Sequence, residues 1–234
     1  SALYVLTQKG WEYAFNDWTK NRIKVFKFII LAAKEETPFL KAESPYGLTK
    51  QMGEEIIESF AKVNPKYNSI LLRYFNPGGA HESKLMGEAP NVALNLVPVI
   101  TEQAIGKRKS ITVFGDDYDT RDGSCVRDYI HVMDLAEAHV VALERLMSSK
   151  TDTNFEIFNL GTGIGSSVLE VVNAFENASG EKLNYSIVNR RAGDVVAAYA
   201  DTEKANKIMG WKAKRSLEQA LKDAWAWEKS LTEK

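Results

Sequence analysis

From Ser44 onward, short strand-like segments alternate with amphipathic helix-like ones. Strands joined through helices run parallel, so this alternation restricts the chain to an α/β architecture. Ser44-Pro45 predicts a helix start, with serine at the N-cap and proline in the first turn. Met52, Ile56, Ile57, Phe60 and Val63 supply its apolar stripe, and Asn64-Pro65 ends it. Residues 69–75 read as a buried strand, 91–106 as a helix and 111–114 as a short strand. Residues 127–132 alternate like a strand, after which Asp134 is expected to cap a helix through Met147, with Glu137 at the capping-box position. A strand over 155–160, a glycine loop, a helix from about 167 to 178 and a strand over 183–188 follow. Asp201 caps a short helix ending at Gly210, and Ser216 with Gln219 forms a capping box for a last helix carrying Leu217, Leu221, Ala224 and Trp225. Before Ser44, Trp11, Phe15 and Trp18 have helix-face spacing and residues 23–31 read as a strand; packing is the role expected of them.

With 234 residues, 44% hydrophobic and 26% charged, the chain can bury a core and is not disordered in bulk. Its 30 basic and 31 acidic side chains give no electrostatic case for nucleic acid or an anionic membrane. Cys125 is the sole cysteine, so no internal disulfide or cysteine-rich zinc site forms, and His81, His131 and His139 are too scattered for a metal motif. No apolar run approaches the roughly 20 residues of a membrane span. The N-terminus has no secretory-signal pattern, and the expected setting is the cytoplasm.

Tyr46 and Lys50 lie four apart, so on a helix they project from one face. An ammonium beside a phenol favours the phenolate and lowers its pKa from about 10, which suits a general base on a sugar or alcohol hydroxyl. The same spacing also arises in an exposed, chemically idle helix pair.

The wider context is more specific. Ser44-Pro-Tyr-Gly-Leu-Thr-Lys50, Leu72-Arg-Tyr-Phe-Asn-Pro77, Val113-Phe-Gly-Asp-Asp-Tyr118 and Val126-Arg-Asp-Tyr-Ile-His-Val132 occur in that order. Asn159-Leu-Gly-Thr-Gly163, Arg190-Arg-Ala-Gly-Asp194 and a terminal helix with Trp225 and Trp227 follow. Together, over residues 43–231, they resemble the UDP-glucose 4-epimerases of the extended short-chain dehydrogenase/reductase family. The resemblance implies a partial Rossmann-type sheet with a C-terminal mixed α/β substrate-binding part. Residues 1–80 would be a remnant of the dinucleotide-binding domain, with 1–45 unassigned, and 81–234 mainly the UDP-sugar domain, interlaced with the first.

The resemblance also implies roles. Tyr46 matches the catalytic base, and Lys50 the residue that lowers its pKa and holds the nicotinamide ribose. Tyr74 matches a position beside the nicotinamide of NAD. Asn76, Asn95 and Leu96 match positions near the sugar and diphosphate, and Thr112 and Phe114 positions around the uracil. Arg127 and Arg191 match diphosphate-binding arginines, a role suited to planar, permanently charged guanidinium forks; read without the resemblance, they are surface salt bridges. Asp194 matches a ribose-hydroxyl contact. Ala198 falls where a small residue leaves room for an N-acetyl group, so tolerance of N-acetylhexosamine substrates is expected. The implied chemistry is reversible oxidation at the sugar C4, with the tyrosine moving the hydroxyl proton. Relatives pair through helices, so a homodimer is expected.

Two departures stand out. Only Gly10 precedes Tyr46, so the glycine fingerprint of a dinucleotide-binding turn has no counterpart there, and weak or impaired NAD binding by this polypeptide follows. The resemblance also places a serine or threonine at the end of the strand before the tyrosine; residues 23–31 run into Ala32-Ala33-Lys34 with no hydroxyl, and Thr37 is the nearest candidate. The later loop Gly161-Thr-Gly-Ile-Gly-Ser166 follows a strand and opens a helix, but its expected role is a tight turn with Ser166 or Ser167 as the helix cap. Two further readings stay open: a non-catalytic nucleotide-sugar-binding module, and another extended short-chain dehydrogenase acting on nucleotide sugars.

Overall fold

The computed structural model describes residues 33–37, 45–191 and 194–232, with the side chain of Tyr46 outside that description. Trp11, Phe15, Trp18 and the strand expected over 23–31 also lie outside the described residues.

The described elements alternate as expected. Helix α1 (Pro45–Val63) leads to strand β1 (Ser69–Tyr74), which pairs in parallel with β6 (Phe155–Leu160) from Ser69↔Phe155 to Tyr74↔Leu160. Strand β2 (Asn76–Gly78) pairs in parallel with β5 (Tyr129–His131), and β3 (Ile111–Phe114) with β8 (Tyr185–Val188). Strand β4 (Val126–Arg127) lies between antiparallel β7 (Ser166–Ser167) and parallel β9 (Ala197–Ala198). An isolated parallel bridge joins Ala33 to Ala200.

The remaining helices are α2 (Leu96–Ala104), α3 (Val132–Met147), α4 (Val168–Ser179) and α5 (Leu217–Thr232), with a π-helical turn at Ala205–Met209. One core joins α2, α4 and α5 through Val97, Ile100, Val171, Phe175, Leu221 and Trp225. There the Phe175 and Trp225 rings meet edge to face at 5.7 Å. A second core gathers Ile130, Leu135, Phe158, Leu160, Met209 and Trp211.

Several expectations are corrected. In α1 the stripe of Met52, Ile56, Phe60 and Val63 is exposed, and the buried face carries Gly47, Gln51, Glu54 and Ala61. Its inward side is therefore small and polar, the inverse of a usual surface helix. Helix α2 begins at Leu96, later than residue 91, with extended Asn95 as N-cap and Pro98 tolerated in the first turn. The strand expected over 127–132 is two strands broken at Asp128, and its residues from Arg127 to His131 are all buried rather than alternating.

Helix α3 is capped by His131, whose Nδ1 accepts the Met133 N–H at 3.0 Å. Asp134 is instead turned to the chain before α5, accepting the Lys214 and Arg215 N–H groups at 2.9 and 2.8 Å. At α5 only half of the box forms: Gln219 N–H donates to Ser216 Oγ, while the Gln219 side chain donates to Asp223.

Candidate functional site

Parallel pairing of β3 with β8 sets Phe114 opposite Val188, so the chain leaving β8 carries Arg190 and Arg191 past the end of β3. The alternation in β3 buries Ile111 and Val113 and turns Thr112 and Phe114 to the open face. Arg191 lies over the Phe114 ring at 5.4 Å, and Arg190 over the Tyr118 ring at 4.2 Å. Arg190 also donates from Nε to Asp117 Oδ1 at 2.7 Å and from Nη2 to the Asp117 carbonyl. These contacts hold the Asp117 carboxyl below its ordinary range.

Arg127 is buried on β4. Its Nη1 donates to the carbonyls of Val126 and Val195, both at 2.8 Å, and its Nη2 to Asp194 Oδ1 at 3.3 Å. Arg191 Nη2 donates to the same oxygen at 3.0 Å. One carboxylate, only 4% exposed, thus holds two guanidinium groups beside an aromatic face. The excess positive charge and the fixed forks suit an anion with several oxygens, and the ring suits a planar base. Ala198 is buried directly opposite Arg127 in the β4–β9 pairing. Cys125, before Arg127 in sequence, has its thiol pushed up by burial.

Phe114, Arg127, Arg191 and Asp194 are therefore brought together, with Ala198 beside them. Asn95 caps α2, where its side chain donates to Glu88 at 2.9 Å, and Leu96 is half-buried in the first turn. Asn76 opens β2 with its side chain exposed and its N–H on the Asp128 carbonyl at 3.0 Å. Tyr74 is exposed at the end of β1, its ring 6.2 Å from that of His139. Lys50 is exposed on α1. Thr37 lies in a turn, its N–H on the Lys34 carbonyl.

The glycine loop serves the protein itself. Fully buried Asp128 accepts the Thr162 N–H and Oγ1–H at 2.9 and 2.7 Å, the Gly163 N–H at 3.0 Å and the Ala200 N–H at 3.1 Å. Burial raises its pKa, against the pull of these donors. Gly161 is required at its position, because a Cβ there would stand 2.3 Å from Asp128 Oδ2. Ser167 then caps α4 in a complete capping box with Glu170.

Sequence reasoning missed Asp128 as this hub and missed the Arg190–Tyr118–Asp117 cluster. Both sit inside the motifs named above, where no spacing or periodicity marks the partners that the fold brings to them. Among the described residues no group of three His, Cys, Asp or Glu side chains is placed to hold a metal, and no helix is long and apolar enough to cross a membrane.

Residues 30–224 match the family described as GDP-mannose 4,6 dehydratase. A UDP-glucose 4-epimerase of Drosophila melanogaster is 46% identical, with 87% of this chain and 62% of that protein covered. The Haemophilus influenzae UDP-glucose 4-epimerase is 50% identical, with 80% of this chain and 55% of that protein covered. The chain thus spans little more than half the length of these relatives.

Among solved structures, UDP-glucose 4-epimerase from Stenotrophomonas maltophila with bound NAD and formylated UDP-arabinopyranose superposes with a TM-score of 0.81 at 43% identity, covering 85% of this chain and 58% of that one. The Bifidobacterium longum enzyme in complex with NAD+ and UDP gives 0.79 at 44% identity, covering 86% and 59%. The expected fold class, part of an extended short-chain dehydrogenase/reductase sheet with a mixed α/β part, is the one these neighbours have.

Proposed function

Because the chain belongs to the GDP-mannose 4,6 dehydratase family, we propose that it handles a UDP-hexose and carries the 4-epimerase machinery seen in its UDP-glucose 4-epimerase relatives. The observation that carries this reading is the Asp194 carboxylate holding the guanidinium groups of Arg127 and Arg191 beside the exposed face of Phe114. Uracil stacks on Phe114 near Thr112, the diphosphate takes the arginine forks, and Asp194 meets a ribose hydroxyl. Asn76, Asn95 and Leu96 line the sugar and diphosphate side, and Ala198 leaves room for an N-acetyl group. Residues 46–80 belong with the dinucleotide side of the enzyme and 81–234 mainly with the sugar-nucleotide side.

The cofactor of those relatives, NAD, fits this chain at one end. Lys50 and Tyr74 are exposed and suited to its nicotinamide half. The pyrophosphate half does not fit the glycine loop at 161–165, since Asp128 already occupies the Thr162 and Gly163 amides. When bound, NAD supplies reversible hydride acceptance at the sugar C4. The chain's own residues do the rest. Lys50 favours the Tyr46 phenolate, Tyr46 takes the 4-hydroxyl proton and returns it, and the arginines anchor the nucleotide while the sugar turns over.

The exposed apolar stripe of α1, from Leu48 through Met52, Ile56 and Phe60 to Val63, supports pairing of two copies through this helix, and the cytoplasm is the setting proposed for the protein. A second reading, a nucleotide-sugar-binding module without turnover, is favoured by one observation. Among the described residues, the contacts that join the arginine, aspartate and phenylalanine side chains lie between residues 114 and 195.

Two measurements on the full chain separate the readings. Calorimetry compares UDP with NAD, and product analysis follows UDP-galactose with added NAD. UDP binding together with UDP-glucose formation supports the epimerase, whereas UDP binding without turnover supports the module. Absence of UDP binding overturns both.

A further inference from the structure

Two consecutive arginines follow β8, and each takes a different aromatic ring from the chain that follows β3. Arg191 lies over Phe114 and donates to Asp194, whereas Arg190 lies over Tyr118, its guanidinium carbon 4.2 Å from the ring centre. Beyond the bond from the Gly115 N–H to the Val188 carbonyl at 2.8 Å, Arg190 joins the two chains through its side chain. Its Nε donates to Asp117 Oδ1 at 2.7 Å and its Nη2 to the Asp117 carbonyl. A planar fork held at two points above a ring has a fixed direction and a fixed depth.

Glycine at 115 makes this stack possible. Its φ of +84° turns the chain after β3, and a Cβ there would stand 2.5 Å from Tyr118 Cε2 and 2.9 Å from Arg190 Cγ. Among the described residues the buried Tyr118 hydroxyl has no hydrogen-bond partner, so the ring is placed for its face and not for its polar tip. Asp117 matches the charge of Arg190 at the protein surface, so what Arg190 adds to its surroundings is geometry more than charge. Arg191 stands in contrast, with a side chain 59% exposed. A long side chain of that kind costs affinity when it must be ordered by an arriving ligand, and less when its backbone is already fixed.

We infer that Arg190 is a positioning residue for Arg191: stacked on Tyr118 and forked on Asp117, it fixes the chain leaving β8 against the end of β3 and so holds the Arg191 guanidinium over Phe114 and against Asp194. This rests on the reading of Arg191 and Phe114 as diphosphate and uracil contacts.

Calorimetry on the full chain with UDP and with uridine tests it. Arg190→Ala is expected to weaken UDP by about fivefold and to leave uridine unchanged. In an Arg191→Ala background the same change is expected to cost less than about twofold, because nothing remains to be positioned. Arg190→Lys keeps the charge without the fork and is expected to weaken UDP by about threefold; with and without Arg191→Ala, it carries the test if Arg190→Ala does not fold. Glu156→Gln, at a buried ion pair elsewhere in the fold, lowers the melting temperature without changing UDP affinity. Parental UDP affinity in Arg190→Lys overturns the positioning role. So does an equal loss with and without Arg191, which would mean that Arg190 meets the diphosphate by its own charge. Both results leave the nucleotide reading intact. A parent that does not bind UDP overturns the nucleotide reading, and the positioning role falls with it.

Discussion

Arg191 places its guanidinium carbon 5.4 Å from the centre of the Phe114 ring, so the cation and the aromatic face border the same space. The two side chains should report on different parts of a bound nucleotide. Phe114→Ala is expected to weaken UDP and uridine alike, by about tenfold. Arg191→Ala is expected to weaken UDP by about tenfold or more and to leave uridine unchanged, since only the diphosphate offers charged acceptors. Calorimetry with the two ligands checks this, and equal losses for both ligands in Arg191→Ala would contradict the assignment.

Asp128 should be a stability residue rather than a ligand. Asp128→Asn turns an amide N–H₂ toward donors that now find a carboxylate, and is expected to cost about 2–4 kcal/mol. Denaturant unfolding measures it. Gly161→Ala should fall in the same range, because its Cβ would collide with Asp128 Oδ2.

The Arg145–Glu156 pair predicts a pH dependence. Burial acts to raise the Glu156 pKa, but the Arg145 fork at 2.8 Å and the Asp152 N–H outweigh it, and the net direction is down from 4.5. A carboxyl depressed in the folded state stabilises above its unfolded value and loses that contribution as pH falls through the folded one. Glu156→Gln should therefore cost about 3 kcal/mol at neutral pH. The gap to the parent should close as the pH is lowered below the ordinary carboxylate range. Unfolding curves across acid pH test it; a gap that widens in acid would reverse the sign.

If two copies pair through α1 as proposed, a charge in its outward stripe should separate them. Ile56 is 63% exposed, so Ile56→Glu costs little within one copy and opposes pairing. Sedimentation at several concentrations is expected to show dissociation favoured by about tenfold or more. Unaltered association would move the contact elsewhere.

Ala198→Tyr should remove activity on the N-acetylhexosamine nucleotide while sparing the plain hexose, with competition assays on the two sugars as the check. The residue is buried opposite Arg127, so some overpacking, about 1–3 kcal/mol, accompanies the change.

Strand and helix order was legible because alternating segments are bounded by strong punctuation such as Asn64-Pro65 and Gly210. The gathering of Phe114, Arg127, Arg191 and Asp194 was legible through a family pattern, not through spacing; Arg127 and Asp194 meet across 67 intervening sequence steps. The orientation of α1 was not legible, because its periodic apolar stripe marks a face without saying which side meets the sheet. Nor was the break at Asp128. A buried aspartate inside an alternating stretch reads as strand until its partners, Thr162, Gly163 and Ala200, are known from the fold.

Arg127 and Arg191 already share Asp194 as a common partner. An arriving phosphate therefore meets donors in use, and its entry is a trade of one set of oxygens for another. Such a trade yields a smaller net gain than capture by idle charge would. If the proposed nucleotide binds there, a grip of this kind would hold it through a cycle yet let it leave readily, which is what repeated turnover would ask.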